Sequence, residues 1–293
     1  MTTRCSVNIY ENFVITKQCS FSRMIKMDMI PAIDIHVHLY PLIGEGWRAT
    51  TLGENNQQSI EVYLREARSF HVQAMCVMGN VCAFGRHPVE QEVKAINDES
   101  ITIVRKYPEN FIGFCLINPN NNRQFILEET ERCIKHAGFK GIKLVISAKA
   151  RDKKLDVIMQ RAEEYNIPVL QHTWYKSMGN LEWESDPSDI ACLASRFPKV
   201  TIIMAHAGGC GIRGMIDIER FSNVYVETSG SQPASGLIEF AVDRLGPERI
   251  LFGSDMPCRC LASQLGRIYG AKVNKRIKTM ILRENAEKIL GIK

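Results

Sequence analysis

Short apolar runs and longer helix-periodic stretches alternate along most of the chain, and this alternation leaves few folds open. Eight runs have the length and composition of buried strands, at residues 32–38, 74–78, 111–118, 141–146, 168–173, 200–206, 224–228 and 250–254. Apolar residues recur at helical spacing at residues 60–70, 89–107, 125–137, 154–165, 188–197 and 237–245. The unit repeats roughly every 25 to 35 residues, which predicts a (β/α)8 TIM barrel of the α/β class.

Prolines support this division, because each stands where a predicted helix must end. Pro168 begins the fifth run, and Pro198 and Pro247 precede the sixth and eighth. Residues 274–289 form a terminal amphipathic helix with one apolar side. Long irregular segments follow strands one, five and six, at residues 39–58, 178–187 and 208–214. In a barrel, such loops surround the catalytic face.

We expect one barrel domain, residues 30–293, preceded by an N-terminal extension, residues 1–29. The extension contains only short apolar groups, too short for an export signal. Two interpretations remain open for it. Either translation starts at Met24, Met27 or Met29, or the extension is an arm that packs on a neighbouring subunit.

Composition excludes several classes of partner. No apolar run is long enough to cross a bilayer, so no membrane partner is expected. The net charge of +5 is spread along the chain, which argues against nucleic acid. Ten scattered cysteines indicate reduced thiols and a cytoplasmic location. Cys258 and Cys260 lack a second pair, so we interpret them as loop thiols and not as a zinc site.

Two histidines lie close together in the first predicted strand. Because side chains on a strand alternate between its faces, Asp34, His36 and His38 should project to the same side. A His-x-His pair also occurs on ordinary surface strands, so the pair alone does not define a site.

Three further polar residues close later strands. His172 lies near the end of the fifth apolar run, His206 ends the sixth, and Asp255 directly follows the eighth. Functional groups gather at the carboxyl ends of the strands in parallel barrels. A buried histidine costs free energy unless it is hydrogen-bonded or ligated, so a shared metal site is the economical explanation.

Together, the segments D-I-H-V-H at residues 34–38, H-A-G-G at 206–209 and G-S-D-M-P at 253–257, with His172, resemble the amidohydrolase superfamily. Within it they are similar to the amidohydrolase 2 branch, the aminocarboxymuconate-semialdehyde-decarboxylase-like metal-dependent hydrolases. The resemblance runs from about residue 31 to the C-terminus. Five positions on four strands match in the family's order, which is more specific than any one motif.

The resemblance implies a divalent metal ion held by three histidines and one aspartate, namely His36, His38, His172 and Asp255. Zn²⁺ is the expected ion, with Mn²⁺, Fe²⁺ or Co²⁺ as alternatives. Such an ion would lower the pKa of a bound water from about 15.7 toward about 7. Asp255 is then expected to move a proton between this water and the leaving group, and His206 to bind the water or polarise the substrate.

Lys143 lies on the fourth strand, where some binuclear amidohydrolases carry a carboxylated lysine between two metals. It is therefore a candidate second-metal bridge. We favour one metal, because family members with only the fifth-strand histidine and eighth-strand aspartate use one. Lys143 would then be a structural or substrate-facing ammonium group.

Candidate substrate-binding residues lie in loops after strands one, two, five and six: Trp47, Arg48, Arg86, Trp174, Tyr175 and Arg213. Arginines suit an anionic substrate and aromatic residues suit a planar one. Loop packing or solvated charge remains the alternative for each. As a group they indicate a small carboxylated ring or dienoate.

The leading hypothesis is a metal-dependent hydrolase that uses metal-activated water on a small carboxylated metabolite, such as a lactone or cyclic amide. The alternative is a carboxy-lyase that decarboxylates a carboxylated aromatic or dienoate without oxidation at the same site. A non-catalytic metal-binding barrel would be expected to have a broken site, whereas all five positions are intact. The resemblance and the apolar terminal helix also suggest a homodimer.

Overall fold

Eight parallel strands form one sheet in which neighbours in the chain are neighbours in space, from β1 to β8. The computed structural model describes residues 29–39, 56–81, 83–232 and 234–292. The strands are β1 Ala32–Val37, β2 Val72–Val77, β3 Phe111–Ile117, β4 Gly141–Leu144, β5 Val169–Gln171, β6 Ile202–Met204, β7 Val224–Glu227 and β8 Ile250–Leu251. All eight lie within or beside the predicted runs.

The first and last strands meet and close the barrel. The N–H of Ile35 donates to the carbonyl of Phe252 at 2.9 Å, and the N–H of His38 donates to that of Met256 at 2.8 Å. A parallel bridge joins Val37 to Met256. The predicted TIM barrel is confirmed, and the seam between β1 and β8 brings the first histidine pair next to the eighth-strand aspartate.

Helices alternate with the strands: α1 Asn56–Ser69, α2 Glu90–Lys106, α3 Arg123–Glu131, α4 Asp156–Tyr165, α5 Pro187–Arg196, α6 Ala207–Ile218, α7 Leu237–Leu245, α8 Leu261–Gly270, α9 Lys275–Thr279 and α10 Asn285–Leu290. A π-helical turn continues α3 over Arg132–His136, and another joins α9 to α10 over Met280–Glu284. No helix in the described part of the chain is both long and apolar enough to cross a membrane.

Local chemistry explains where α5 begins. The Asp186 carboxylate accepts hydrogen bonds from the N–H groups of Ser188 and Asp189, at 2.8 and 3.1 Å. Asp189 accepts in return from the N–H of Asp186 at 2.9 Å, and Pro187 occupies the first helical turn. This cap ends the long loop that follows β5.

The predicted loop at residues 208–214 is wrong, because these residues lie in α6. Close packing explains the glycines at 208 and 209. A Cβ at Gly208 would lie 2.0 Å from Nη1 of Arg267, and one at Gly209 would lie 2.8 Å from the indole of Trp174. Only Gly211 leaves helical geometry, with φ 59° and ψ −158°.

Two predicted segments fall mainly outside the described residues. They are the N-terminal extension, described only at Met29, and the loop after β1, described only at its two ends. Trp47 and Arg48 belong to that loop. Each cysteine of the described residues has a free thiol.

Candidate active site

Three predicted ligands meet where β1 and β8 end. Nε2 of His36 lies 3.0 Å from Nε2 of His38, and Oδ1 of Asp255 lies 3.6 and 3.4 Å from these two atoms. All three side chains are buried. Ligands about 2.0–2.1 Å from a tetrahedral ion are roughly 3.4 Å apart, so these spacings fit a single cation.

Burial and nearby charges favour neutral histidines and an ionised aspartate, the protonation states that bind metal. Burial lowers the pKa of His36 and of His38, and the positive charge of Lys143 lowers both further. Burial opposes ionisation of Asp255, but the hydrogen bond with His38 and the electrostatic interaction with His206 and His36 hold the pKa of Asp255 well below its usual range. Neutral imidazoles beside an ionised carboxylate are the forms that coordinate a divalent cation.

A second pair of histidines lies next to this group, at the ends of β5 and β6. Nδ1 of His172 is 3.1 Å from Nε2 of His206. The His206 ring centroid is 4.9 Å from that of His172 and 5.1 Å from that of His36. The four predicted histidines are therefore brought together in one cluster.

Within the described residues, two sets of ligand-type side chains have all their donor atoms within 4.8 Å of one another. One set is His36, His38 and Asp255, and the other is His36, His206 and Glu227. His172 belongs to neither set. It contacts the cluster through His206, so its predicted role as a fourth metal ligand stays a prediction.

Carboxylates outside the cluster orient the histidine rings. Oε1 of Glu227 lies 3.0 Å from Nδ1 of His36, and Oε1 of Glu184 lies 2.9 Å from Nε2 of His172. Burial opposes ionisation of Glu184, but hydrogen bonds from His172 and Lys176 lower the pKa of Glu184 to about 2. An ionised carboxylate only accepts hydrogen bonds, so Nε2 of His172 carries a proton.

A hydroxyl orients His206 in the same way. The Ser229 hydroxyl donates to Glu227 at 2.7 Å, so its oxygen accepts from Nδ1 of His206, 2.8 Å away. Burial lowers the pKa of both His172 and His206, which keeps their rings neutral near pH 7. Nδ1 of His172 and Nε2 of His206 then face each other with lone pairs. Such a contact repels unless a proton or a cation lies between the nitrogens, so these two atoms are placed to share one or the other.

The backbone is left-handed at two site residues. His206 has φ 68° and Asp255 has φ 59°, a region that residues with a Cβ rarely adopt. The N–H of Asp255 donates to the carbonyl of His36 at 2.8 Å, and the N–H of His206 donates to Glu227 at 2.6 Å. Sparsely populated backbone conformations held by surrounding bonds occur often at functional sites.

Lys143 faces the histidine cluster from β4. It is 1 % exposed, and its positive charge lowers the pKa of His36, His38 and His172, after the larger effect of burial on each. The sequence did not fix the direction of this side chain. Its role, structural or metal-bridging, stays a prediction.

The predicted substrate-binding residues have different surroundings. The Trp174 ring is half-buried, 5.1 Å from the His206 ring and stacked 6.1 Å from that of His172. Arg213 is exposed, 3.0 Å from the Asp217 carboxylate and 5.6 Å from the Tyr175 ring. Arg86 is also exposed. Among the described members of this set, Trp174 is the one that contacts the histidines.

Sequence reasoning missed Glu184 and Glu227. Glu227 ends the seventh strand as His206 follows the sixth, so the strand-end criterion would have found it. Glu184 lies in the long loop after β5, twelve residues from His172, and no local pattern marks it.

Several decarboxylase structures share this fold. 2,6-Dihydroxybenzoate decarboxylase from Rhizobium has a TM-score of 0.70 at 17% sequence identity, over 90% of this chain and 99% of that one. 5-Carboxyvanillate decarboxylase from Sphingomonas paucimobilis has a TM-score of 0.70 at 16% identity, over 90% and 100%. A Polaromonas dihydroxybenzoic acid decarboxylase with bound manganese and the inhibitor 2-nitroresorcinol has a TM-score of 0.69 at 15% identity, over 90% and 97%.

At these identities the structural similarity establishes the fold alone. The sequence goes further, because the family model for amidohydrolases matches residues 33–292, which is most of the chain. That range includes every histidine and carboxylate of the cluster described above. The chain belongs to the amidohydrolase family.

Proposed function

We propose that this protein is a metal-dependent decarboxylase that removes carbon dioxide, without oxidation, from a small carboxylated aromatic or dienoate. The observation that carries the proposal is the cluster of four neutral histidines, three buried and His172 partly exposed, around an ionised aspartate at the carboxyl end of the barrel. Several of the similar structures are decarboxylases by name, which favours this reaction over hydrolysis.

His36, His38 and Asp255 would hold the divalent ion, with His172 as the predicted fourth ligand. When bound, the ion would act as a Lewis acid that polarises a substrate oxygen. Zn²⁺ is the ion expected from the sequence. The manganese in the Polaromonas structure makes Mn²⁺ equally worth testing.

Decarboxylation breaks a carbon–carbon bond, releases carbon dioxide and leaves a carbon that must receive a proton. Asp255 and His206 are the candidates for delivering it. The low pKa of Asp255 makes its carboxylate a poor resident acid, so it would have to receive the proton during the reaction. His206 has Nε2 turned toward the cluster, where an incoming proton can be held and passed on.

Hydrolysis of a lactone or cyclic amide is the second candidate. The observation that favours it is the ionised Asp255, which can accept a proton from a water molecule beside the same ligand set. The two reactions share every residue in the cluster, so only the products separate them.

The test is to incubate the enzyme, loaded with Mn²⁺ or Zn²⁺, with 2,6-dihydroxybenzoate, 5-carboxyvanillate and a carboxymuconate-type dienoate. Carbon dioxide release is followed directly, and a parallel panel of lactones is followed by acid production. We expect carbon dioxide from at least one acid. Hydrolysis of a lactone with no carbon dioxide from any acid would favour the second candidate.

We also propose a cytoplasmic homodimer that takes an anionic small molecule. The dimer rests on the sequence resemblance and is tested by light scattering at micromolar concentration. A monomeric mass there would contradict it.

A further inference from the structure

Arg259 lies in the turn between β8 and α8, immediately after the cluster. Its N–H donates to the carbonyl of Asp255 at 3.1 Å, which ties the turn to the end of the eighth strand. The residue is half-buried. The substrate contacts expected from the sequence did not include Arg259, which lies two residues after the end of the G-S-D-M-P segment.

The guanidinium group of Arg259 has few partners. Its Nη1 donates to the carbonyl of Cys258 at 2.9 Å, while its Nε is buried and has no acceptor. Within the described residues it forms no ion pair with a carboxylate. An arginine has five N–H donors, and burying one without an acceptor costs free energy that an anion would offset.

An aromatic ring holds this group beside the cluster. The guanidinium carbon lies 6.0 Å from the ring centroid of Trp174, and that ring lies 5.1 Å from the ring of His206. A cation over the indole face is attracted by its negative potential. One indole therefore separates the free donors of Arg259 from the histidines.

Three other cations around the site have polar partners. Arg267 donates to the carbonyls of Thr228 and Gly230, at 3.3 and 2.6 Å. Lys176 pairs with Glu184, and Arg213 pairs with Asp217. Arg259 thus combines proximity to the cluster with unused donors.

We propose that Arg259 binds a carboxylate that the substrate keeps through the reaction, an inference that rests on the proposed decarboxylase function. A leaving carboxylate loses its charge in the transition state, so an arginine holding it would stabilise the ground state more and slow the reaction. A retained carboxylate keeps its charge, and its pairing with Arg259 contributes equally throughout. The substrate class is therefore an aromatic or dienoic acid with at least two carboxylates.

The test compares Arg259→Ala and Arg259→Lys with wild type in the metal-loaded enzyme. The probes are 5-carboxyvanillate, vanillate, which keeps one carboxylate, and guaiacol, which has none. Binding is measured by calorimetry. Arg220→Ala is the matched control, because its guanidinium lies 4.8 Å from the Phe221 ring beyond the far end of α6.

We expect Arg259→Ala to weaken vanillate binding on the order of 10- to 100-fold and to leave guaiacol binding unchanged. Arg259→Lys should fall between, since it keeps the charge but loses the bidentate geometry. Arg220→Ala should bind both probes as wild type does. If Arg259→Ala does not fold, Arg259→Lys is compared with wild type, and weaker vanillate binding with unchanged guaiacol binding is the expected result.

The assignment is overturned if wild type binds neither carboxylated probe at millimolar concentration, or if both Arg259 variants bind them as wild type does. In turnover, Arg259→Ala should raise KM with little change in kcat. A fall in kcat at constant KM would place Arg259 on the reacting group instead. Arg259-dependent binding without carbon dioxide release from any acid would contradict the decarboxylase proposal and leave this assignment intact.

Discussion

The two halves of the histidine cluster are held in place by different means. At the seam of β1 and β8, backbone hydrogen bonds align His36, His38 and Asp255, and their ligand atoms converge within 3.6 Å. At the ends of β5 and β6, side-chain partners orient His172 and His206. The ligand atoms of the first half thus fit a cation. We propose that His206, in the second half, controls where protons lie, so variants of the two halves should differ in metal content and in rate.

The largest effect should come from removing two ligands of the first half. The double variant His36→Ala, His38→Ala should lose its bound metal, about one equivalent per chain in wild type, together with all measurable turnover. Elemental analysis and circular dichroism would check both points. His136→Ala, in the turn after α3, is the control. Metal retained by the double variant would contradict the assignment of this half.

Asp255→Asn should lower turnover on the order of 10²- to 10⁴-fold while keeping some metal affinity. An amide oxygen can still coordinate, but it cannot carry the proton. Asparagine also tolerates the left-handed backbone at this position, so the variant should fold. Steady-state rates at saturating metal decide the matter. Near wild-type turnover would mean that Asp255 moves no proton.

His206→Asn, in the second half, should lower turnover on the order of 10²-fold, the lower end of general acid–base assistance, and leave metal content unchanged. Elemental analysis of the variant beside the rate measurement separates the two quantities. A metal-free variant would move His206 into the ligand set with Glu227 and remove the distinction between the halves.

The smallest effect should follow Glu184→Gln, on the order of tenfold in metal affinity or rate. The change removes the negative charge that fixes the tautomer of His172, but keeps the size of the side chain. Glu182→Gln, exposed in the same loop, is the control. If both variants matched wild type, the orientation of His172 would not depend on Glu184.

The barrel could be predicted from sequence because its signals are local. Apolar runs that alternate with helix-periodic stretches predict all eight strands. His36, His206 and Asp255 could be grouped from the sequence because each lies near the end of such a run. Predicted strands extend past the observed ones. The fifth run, for example, covers residues 168–173, whereas β5 covers Val169–Gln171. His172 leaves the ladder to join the cluster, and Thr173 pairs with Ser185 instead.

The remaining errors concern contacts between distant segments. The glycines of α6 resemble a loop until Arg267 and Trp174 are seen against them. Glu184 reaches His172 by a loop whose path no periodicity encodes. Both Arg213 and Arg259 lie in sequence just after a predicted strand-end residue. The structure shows that Arg213 pairs with Asp217, whereas Nε of Arg259 is buried without an acceptor.

The left-handed backbone at His206 and Asp255 has an evolutionary consequence. Such a conformation disfavours a residue with a Cβ by roughly 1–2 kcal/mol, whereas glycine adopts it freely. Backbone energy alone would therefore favour glycine at both positions. In a duplicated gene that is no longer selected for activity, these two residues should be replaced early, because a glycine at either position would lower the backbone free energy of the folded state. Their joint loss in a related barrel would mark a copy that has kept the architecture and abandoned the reaction.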